Sequence, residues 1–215
     1  MDDVLSQFDL VLRAFWVTTQ LLLISGVLSM VFGTLLAAAR VGPVPVLAKA
    51  GALYVVLVRN TPLLIIFIFV FFALPQLDVR LPFLAKGVVA LTVYTSAFVC
   101  EAMRSGVNAV PLGQAEASRA IGLTFGQSMG YVVLPQALRA VVQPLASVFI
   151  ALAKNTSVAA GFGILEATAR MRYFTNNNAD ARTWIFVTFA LGYILIVELI
   201  SSGALHLERR WKVAR

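Results

Sequence analysis

Little of this chain is charged. Asp, Glu, Lys and Arg make up 13% of its 215 residues, against 60% that are hydrophobic, and mean hydropathy is +0.89. A water-soluble domain of this length cannot hide that much apolar surface, so lipid must be the solvent for much of it. Cysteine and histidine are nearly absent. With one Cys, Cys100, and one His, His206, the chain has no internal disulfide and no ligand set at zinc spacing. His206 adjoins a basic tail and reads as an interfacial residue. No G-x-x-x-x-G-K-[ST] run is present, so no phosphate cradle for ATP. Nor do acids, His and Ser gather at one depth, as an intramembrane enzyme requires. Positive charge is missing at the amino terminus, where Asp2, Asp3 and Asp9 follow Met1. A signal peptide is therefore not expected. Without a repeat or low-complexity tract, residues 1–215 read as one domain.

Long apolar runs are abundant. Five stand out: Phe15 to Ala39, Ala50 to Leu74, Gly87 to Met103, Ala140 to Gly163 and Trp184 to Leu205. A spanning helix needs roughly 20 mostly apolar residues. Leu, Ala and Phe dominate without period-two alternation, which favours helices over a barrel. The expectation is an all-α integral membrane protein with five transmembrane helices. The net charge of +7 collects at the ends of the runs, which argues against a nucleic-acid partner. One set of segments holds Arg40, Lys49, Arg104, Arg119, Arg139, Arg209, Arg210, Lys212 and Arg215; the other holds Arg13, Arg80, Lys86, Arg170, Arg172 and Arg182. Basic segments stay in the cytoplasm, so the amino terminus is expected outside and the carboxyl terminus inside. Trp211 suits the interface there.

The stretch "EASRAIGLTFGQSMGYVVLPQAL", residues 116 to 138, interrupts this pattern. Ala117, Ala120 and Ile121 lie at i, i+3 and i+4 and make a small apolar face. Glu116 and Arg119 sit off it. Gly122 is placed to stop that helix. Thr124 to Gln127 matches a T-x-x-Q capping box opening a second helix. Pro135 is expected to end the second helix and lead into the fourth span. A short helix with a small-residue face suits docking into a groove on a partner. It equally suits a plain loop on the lipid headgroups.

The spacing Glu116-Ala117-Ser118, Gly122, then Val132, Leu134 and Pro135 resembles the EAA loop of permease subunits of bacterial ATP-binding cassette (ABC) importers. Ser118 replaces an Ala and Val132 an Ile of that pattern. Four further stretches resemble the polar amino acid subfamily: "FWVTTQLLLISGVLSMVFGTLLAAAR", "RNTPLL", "CEAMRSGVNAVPLGQAEASRAIGL" and "LPQALRAVVQPLASVFIALAKNTSVA". The resemblance implies a type I importer (MetI-like) permease fold in the bacterial cytoplasmic membrane. It implies a 106–139 cytoplasmic loop that couples to ATPase subunits through Glu116, Ala117, Ser118, Gly122, Leu134 and Pro135. Its implied partners are an ABC ATPase dimer that uses ATP and Mg, a second permease chain (a homologue or a second copy) and an extracellular amino-acid-binding protein. The subunit itself would carry no cofactor and be no enzyme. A channel or receptor is the rival class, and neither needs the EAA spacing.

Ionisable groups at membrane depth need partners or water. Arg59, Asn60, Glu101, Lys154, Asn155 and Glu198 fall within the apolar runs. Glu101 precedes Arg104 by three residues and either pairs with it or holds a substrate ammonium, as the resemblance implies. Arg59 either meets a carboxylate or braces the second span beside the helix-start signal Thr61-Pro62. Glu198 is expected to face the bundle and bond to a neighbour. Lys154 and Asn155 precede Thr156 and Ser157, whose hydroxyls can satisfy loosened backbone. Permeases for basic amino acids resemble this chain but often carry Asp at the position of Asn155; glutamate-type ones often carry Asn. The resemblance thus points to glutamate, aspartate or glutamine, with another polar or basic amino acid as the alternative. Asn155 is expected either to contact the substrate or to make a helix–helix hydrogen bond. Tyr94, Thr95 and Ser96 are expected to line the same cavity as Glu101 and Asn155, and Lys154 and Arg59 to give the pathway positive charge.

Overall fold

The computed structural model describes residues 7–211, apart from the side chain of Trp211. Asp2, Asp3, Lys212 and Arg215, invoked above for topology, lie outside the described residues, as does the side chain of Trp211. Helix α1 (Phe8–Val41) is followed by α2 (Pro45–Asn60) and α3 (Leu63–Gln76). Next come α4 (Phe83–Asn108), α5 (Leu112–Ala120) and α6 (125–140). The chain ends with α7 (Val142–Phe162), α8 (Ala167–Asn177) and α9 (Arg182–Trp211). Four of these stretches, at α1, α4, α7 and α9, are long and apolar enough to cross a membrane.

The run 50–74 is not one straight span. It breaks between α2 and α3 with a bend of 103°. The cause is local. A residue before proline is pushed out of the helical region, and Thr61 is extended at φ −96°, ψ 129°. Its hydroxyl donates to the Leu57 carbonyl at 2.8 Å, which closes α2. Pro62 then precedes α3, where its missing N–H is no loss. The signal at Thr61-Pro62 was therefore a break within a span, as well as a helix start.

A second difference concerns Pro135. It does not end a helix; α6 runs on to Ala140. The turn before it, Ser128–Val133, is widened to π geometry, which takes up the hydrogen bond that proline cannot donate. The same arrangement occurs in α3, where the π segment Phe69–Ala73 precedes Leu74-Pro75. Each Leu-Pro-Gln thus follows a π turn.

Helix α1 is apolar on its outside and small on its inside. Ser25, Ser29, Gly33 and Ala37 recur every four residues and are buried. On the other face Leu23, Val27, Val31 and Leu35 are exposed. In lipid, large apolar side chains gain nothing by burial, and helices associate through close packing of small residues and polar contacts. The small stripe lies on α4. Ser29 donates to the Thr92 carbonyl at 3.4 Å. A Cβ on Gly33 would sit 2.5 Å from Cβ of Val99 and 2.8 Å from the Ser96 carbonyl oxygen.

Two apolar clusters complete the packing. One gathers Leu21 of α1, Phe67 and Phe71 of α3, Leu91 of α4 and Leu152 of α7. The other gathers Val11, Phe174, Ile185 and Phe189 from α1, α8 and α9. Beside the second lies a buried acid that the sequence reading did not single out. Glu166 is fully buried and caps α8, its Oε1 accepting from Ala169 N–H at 2.9 Å. Its Oε2 accepts from the Tyr193 hydroxyl of α9 at 2.8 Å. The neighbouring Ala167 N–H donates to the Thr18 hydroxyl of α1 at 3.1 Å. Three helices meet at this group. Burial pushes the Glu166 carboxyl above its usual range, against the pull of these donors.

Closeness at Gly33 makes a direct test. Gly33→Ala should overpack the α1–α4 contact and destabilise the protein by about 1 to 3 kcal/mol. Thermal unfolding in detergent should show a lowered midpoint. Gly203→Ala meets nothing within 4 Å and should leave the midpoint unchanged; equal midpoints for all three proteins would refute this packing.

Candidate functional site

Helix α7 changes character at its centre. It is α-helical to Asn155 and tightens to a 3-10 helix over Thr156–Phe162. Tightening re-routes backbone carbonyls, and the two hydroxyls expected to compensate do so. Thr156 donates to the Ala153 carbonyl at 2.7 Å and Ser157 to that of Lys154 at 2.6 Å. The turn ends at Gly163, in the left-handed region at φ 86°.

Asn155, at this junction, lines a cavity of about 390 Å³ between α4 and α7. Tyr94, Thr95 and Phe98 form the α4 wall; Ser147, Ala151 and Asn155 form much of the α7 wall. Tyr94 and Phe98 pack ring to ring at 4.9 Å. No lining side chain is charged. Thr95 is buried and its hydroxyl has no hydrogen-bond partner. An unpartnered buried hydroxyl is costly, so Thr95 and the Asn155 amide supply the donors and acceptors a polar guest needs.

The other residues expected at the pathway lie elsewhere. Ser96 follows Thr95 by one position, so it points about 100° away round the helix. It bonds the Tyr54 hydroxyl at 2.9 Å and faces an apolar cavity of about 510 Å³ between α1, α2 and α4. Lys154 precedes Asn155 and faces α9 for the same reason. Glu101 lies further along α4, toward its carboxyl end, among arginines. Arg104 donates to its Oε2 at 2.9 Å from Nη2 and 3.2 Å from Nε. Arg40 of α1 donates to its Oε1. Arg59 of α2 stands 3.9 Å off and lies over the Phe98 ring at 5.3 Å. The local i, i+3 pair with Arg104 is legible in the sequence; Arg40, at the end of "AAAR", carries no local sign of this partner and stands there only as one of the basic charges at the end of a run. Tyr54, Phe98 and Ser147 were also missed, because nothing in the local pattern marks them.

Glu198 departs from expectation. It is exposed on α9 and has no ion pair or hydrogen bond among the described residues. The helix pair leaves it opposite Lys154 across the α7–α9 cleft.

The 106–139 segment forms a two-armed unit. Helix α5 ends in a Schellman motif: Gly122, at φ 91°, follows Ile121, and Leu123 N–H donates to the Ser118 carbonyl at 3.2 Å. The Thr124–Gln127 capping box forms in full. Ser118, the departure from the EAA pattern, is buried, and its hydroxyl bonds that of Ser128 at 2.8 Å. It therefore ties α5 to α6. Gly106 of α4 packs on the end of α6, where a Cβ would sit 2.9 Å from the Ala137 carbonyl oxygen. The opposite side is bare. Glu116, Ala117 and Gly122 are exposed, and Leu112 and Ile121 are 80% and 79% exposed. Leu134 and Pro135 are also exposed, Leu134 beside a cavity it shares with Ala37 and Met103.

Comparison with known proteins bears on both features. The profile described as "Binding-protein-dependent transport system inner membrane component" matches residues 29–213. The chain is 39% identical, over 95% of each sequence, to the glutamate transport system permease protein GluC of Corynebacterium efficiens. It is 38% identical to the probable glutamine ABC transporter permease protein GlnP of Bacillus subtilis, over 91% of each. Among solved structures it superposes on a chain of an amino acid ABC transporter with a TM-score of 0.89 at 24% identity, covering 97% of both chains. A chain of the MetNI methionine ABC transporter gives 0.78 at 22%, covering 97% and 99%. These likenesses establish the permease fold, and the chain belongs to the family of binding-protein-dependent transport system inner membrane components.

Proposed function

We propose that this chain is the permease subunit of an ATP-driven importer that carries glutamate, or the close relatives aspartate and glutamine, across the cytoplasmic membrane by alternating access. The observation that carries this reading is the loop: a braced unit at EAA spacing whose apolar outer face is left uncovered among the described residues. Such a face fits a groove on an ATPase. Closure of two ATPases on ATP would then move α5 and α6 together and, through Gly106, rock α4. ATP and Mg belong to that partner. A second permease chain and an external binding protein complete the reading, which the names of the relatives support. The basic segments support an amino terminus outside and the loop inside.

The pathway residue set gains a division of labour. Thr95 and Asn155 face the uncharged cavity and are the contacts for the substrate's polar groups. Ser96, Arg59 and Glu101 hold the helices that shape it. An acid is lacking from the cavity wall, which suits a substrate that brings its own extra carboxylate or an amide.

The loop makes one test. Gly122 occupies a left-handed conformation that costs other residues about 1 to 2 kcal/mol. A Gly122→Leu protein should insert normally yet lose uptake and bind the ATPase poorly. Ile121→Cys, exposed beside it, should react with a membrane-impermeant maleimide only in opened vesicles, because the loop would lie inside; the native Cys100 is buried and adds little background. Full uptake by Gly122→Leu, or labelling of Ile121→Cys in intact cells, would sink the coupling role.

The cavity makes another. Asn155→Asp would place a carboxylate against an anionic side chain, and like charges at low dielectric repel strongly. Uptake of glutamate should fall at least tenfold more than uptake of glutamine, in cells carrying the complete transporter. An equal loss for both would make Asn155 structural. Strong arginine uptake by the unaltered protein would overturn the substrate class.

A further inference from the structure

Outside the Thr95–Asn155 cavity, two opposite charges lie together within the apolar runs, and neither is paired among the described residues. Lys154 of α7 and Glu198 of α9 line a cavity of about 430 Å³ with Ser157, Tyr193, Ile194 and Val197. The two helices run antiparallel, with Gln143 donating to Glu208 near one end, and this register sets Lys154 opposite Glu198. They are close enough to share a cavity, yet no ion pair joins them, and neither has another partner among the described residues. Charges within spanning helices are retained where they serve a pathway or a ligand.

The wall beside them is fixed. The Tyr193 hydroxyl is taken up by Glu166, at 2.8 Å, and by Thr168, at 3.0 Å. These two bonds hold the ring in place, and Tyr193 is one of the residues that line the cavity. Glu166 is in turn locked by the α8 backbone. One held tyrosine, and one ammonium and one carboxylate without partners among the described residues, line a space of ligand size.

We propose that this cavity is a second amino-acid site, in which Lys154 takes the α-carboxylate and Glu198 the α-ammonium of a zwitterion. The matching is chemical: every free α-amino acid carries both charges, and this is the cavity in which the described residues offer both complements unpaired. The Tyr193 ring adds a face for the ammonium. The Asn155 cavity lies on a different face of α7 and shares no lining residue with this one, so the second site recognises only the charges common to every free amino acid. The inference rests on reading the chain as an amino-acid importer subunit.

The test is equilibrium binding to the complete transporter in lipid nanodiscs, without its binding protein. Three probes are used: glutamate, glutarate, which lacks the ammonium, and 4-aminobutyrate, which lacks the α-carboxylate. Loss of one charge-assisted contact should weaken binding about tenfold. Glu198→Gln should therefore weaken glutamate about tenfold and leave glutarate unchanged. Lys154→Gln should weaken glutamate equally and leave 4-aminobutyrate unchanged. Unaltered glutamate binding in both variants would overturn the site. So would an equal loss of all three probes together with a lowered melting temperature of the complex, which would mark Lys154 and Glu198 as structural contacts with each other or with the second permease. Absence of amino-acid uptake by the wild-type transporter would remove the importer reading along with it; normal wild-type uptake with unaltered variants removes the second site alone.

Discussion

The architecture depends on a requirement of its solvent: a charge among spanning helices must find a partner or a polar cavity inside the protein. Glu101 shows how this is met. One carboxylate on α4 collects Arg104 from its own helix, Arg40 from α1 and, more distantly, Arg59 from α2. Removing the carboxylate would leave those arginines facing one another. The cluster thus fixes the first half of the chain at the same end as the loop. The small stripe Ser25, Ser29, Gly33 and Ala37 extends the α1–α4 contact toward the other end, and Glu166 joins α1, α8 and α9 there.

Between these two polar locks the molecule keeps its functional groups less constrained. Thr95 has a free hydroxyl, Asn155 sits where an α-helix tightens, and Lys154 and Glu198 stand apart. Rigidity at the ends and unmet polarity at the centre is what a rocking carrier needs. The loop adds a handle. Its two arms are tied by Ser118 and Ser128 and turned at Gly122, and the end of α6 packs closely on Gly106 of α4. Under the proposed coupling role, motion of the exposed Ile121 face would reach α4 by this contact.

Local features were legible in the sequence. The Thr124–Gln127 capping box, the Gly122 stop, the long apolar helices and the hydroxyls after Lys154 and Asn155 all rest on neighbours within four residues, and the structure has each of them. The bend at Thr61-Pro62 was marked by its proline, but hydropathy runs smoothly across it and hid the break. Pro135 misled in the opposite way, because a π turn can absorb a missing N–H and leave no trace in composition. What stayed hidden is non-local. Arg40 and Glu101 are 61 residues apart, and Thr18 and Glu166 are 148 apart; no spacing rule connects them. Helical phase was the other gap: Thr95 and Ser96, like Lys154 and Asn155, were grouped by adjacency, and adjacent residues face different cavities.

The most direct test of this account is Glu101→Gln, read by stability and by uptake kinetics together. With Glu101 as a lock, the variant should lose about 2 to 4 kcal/mol of stability. Its maximal uptake rate should fall while KM for the amino acid stays unchanged. A variant that unfolds at the wild-type temperature but shows a tenfold higher KM would contradict the account, because Glu101 would then be holding the substrate rather than the helices.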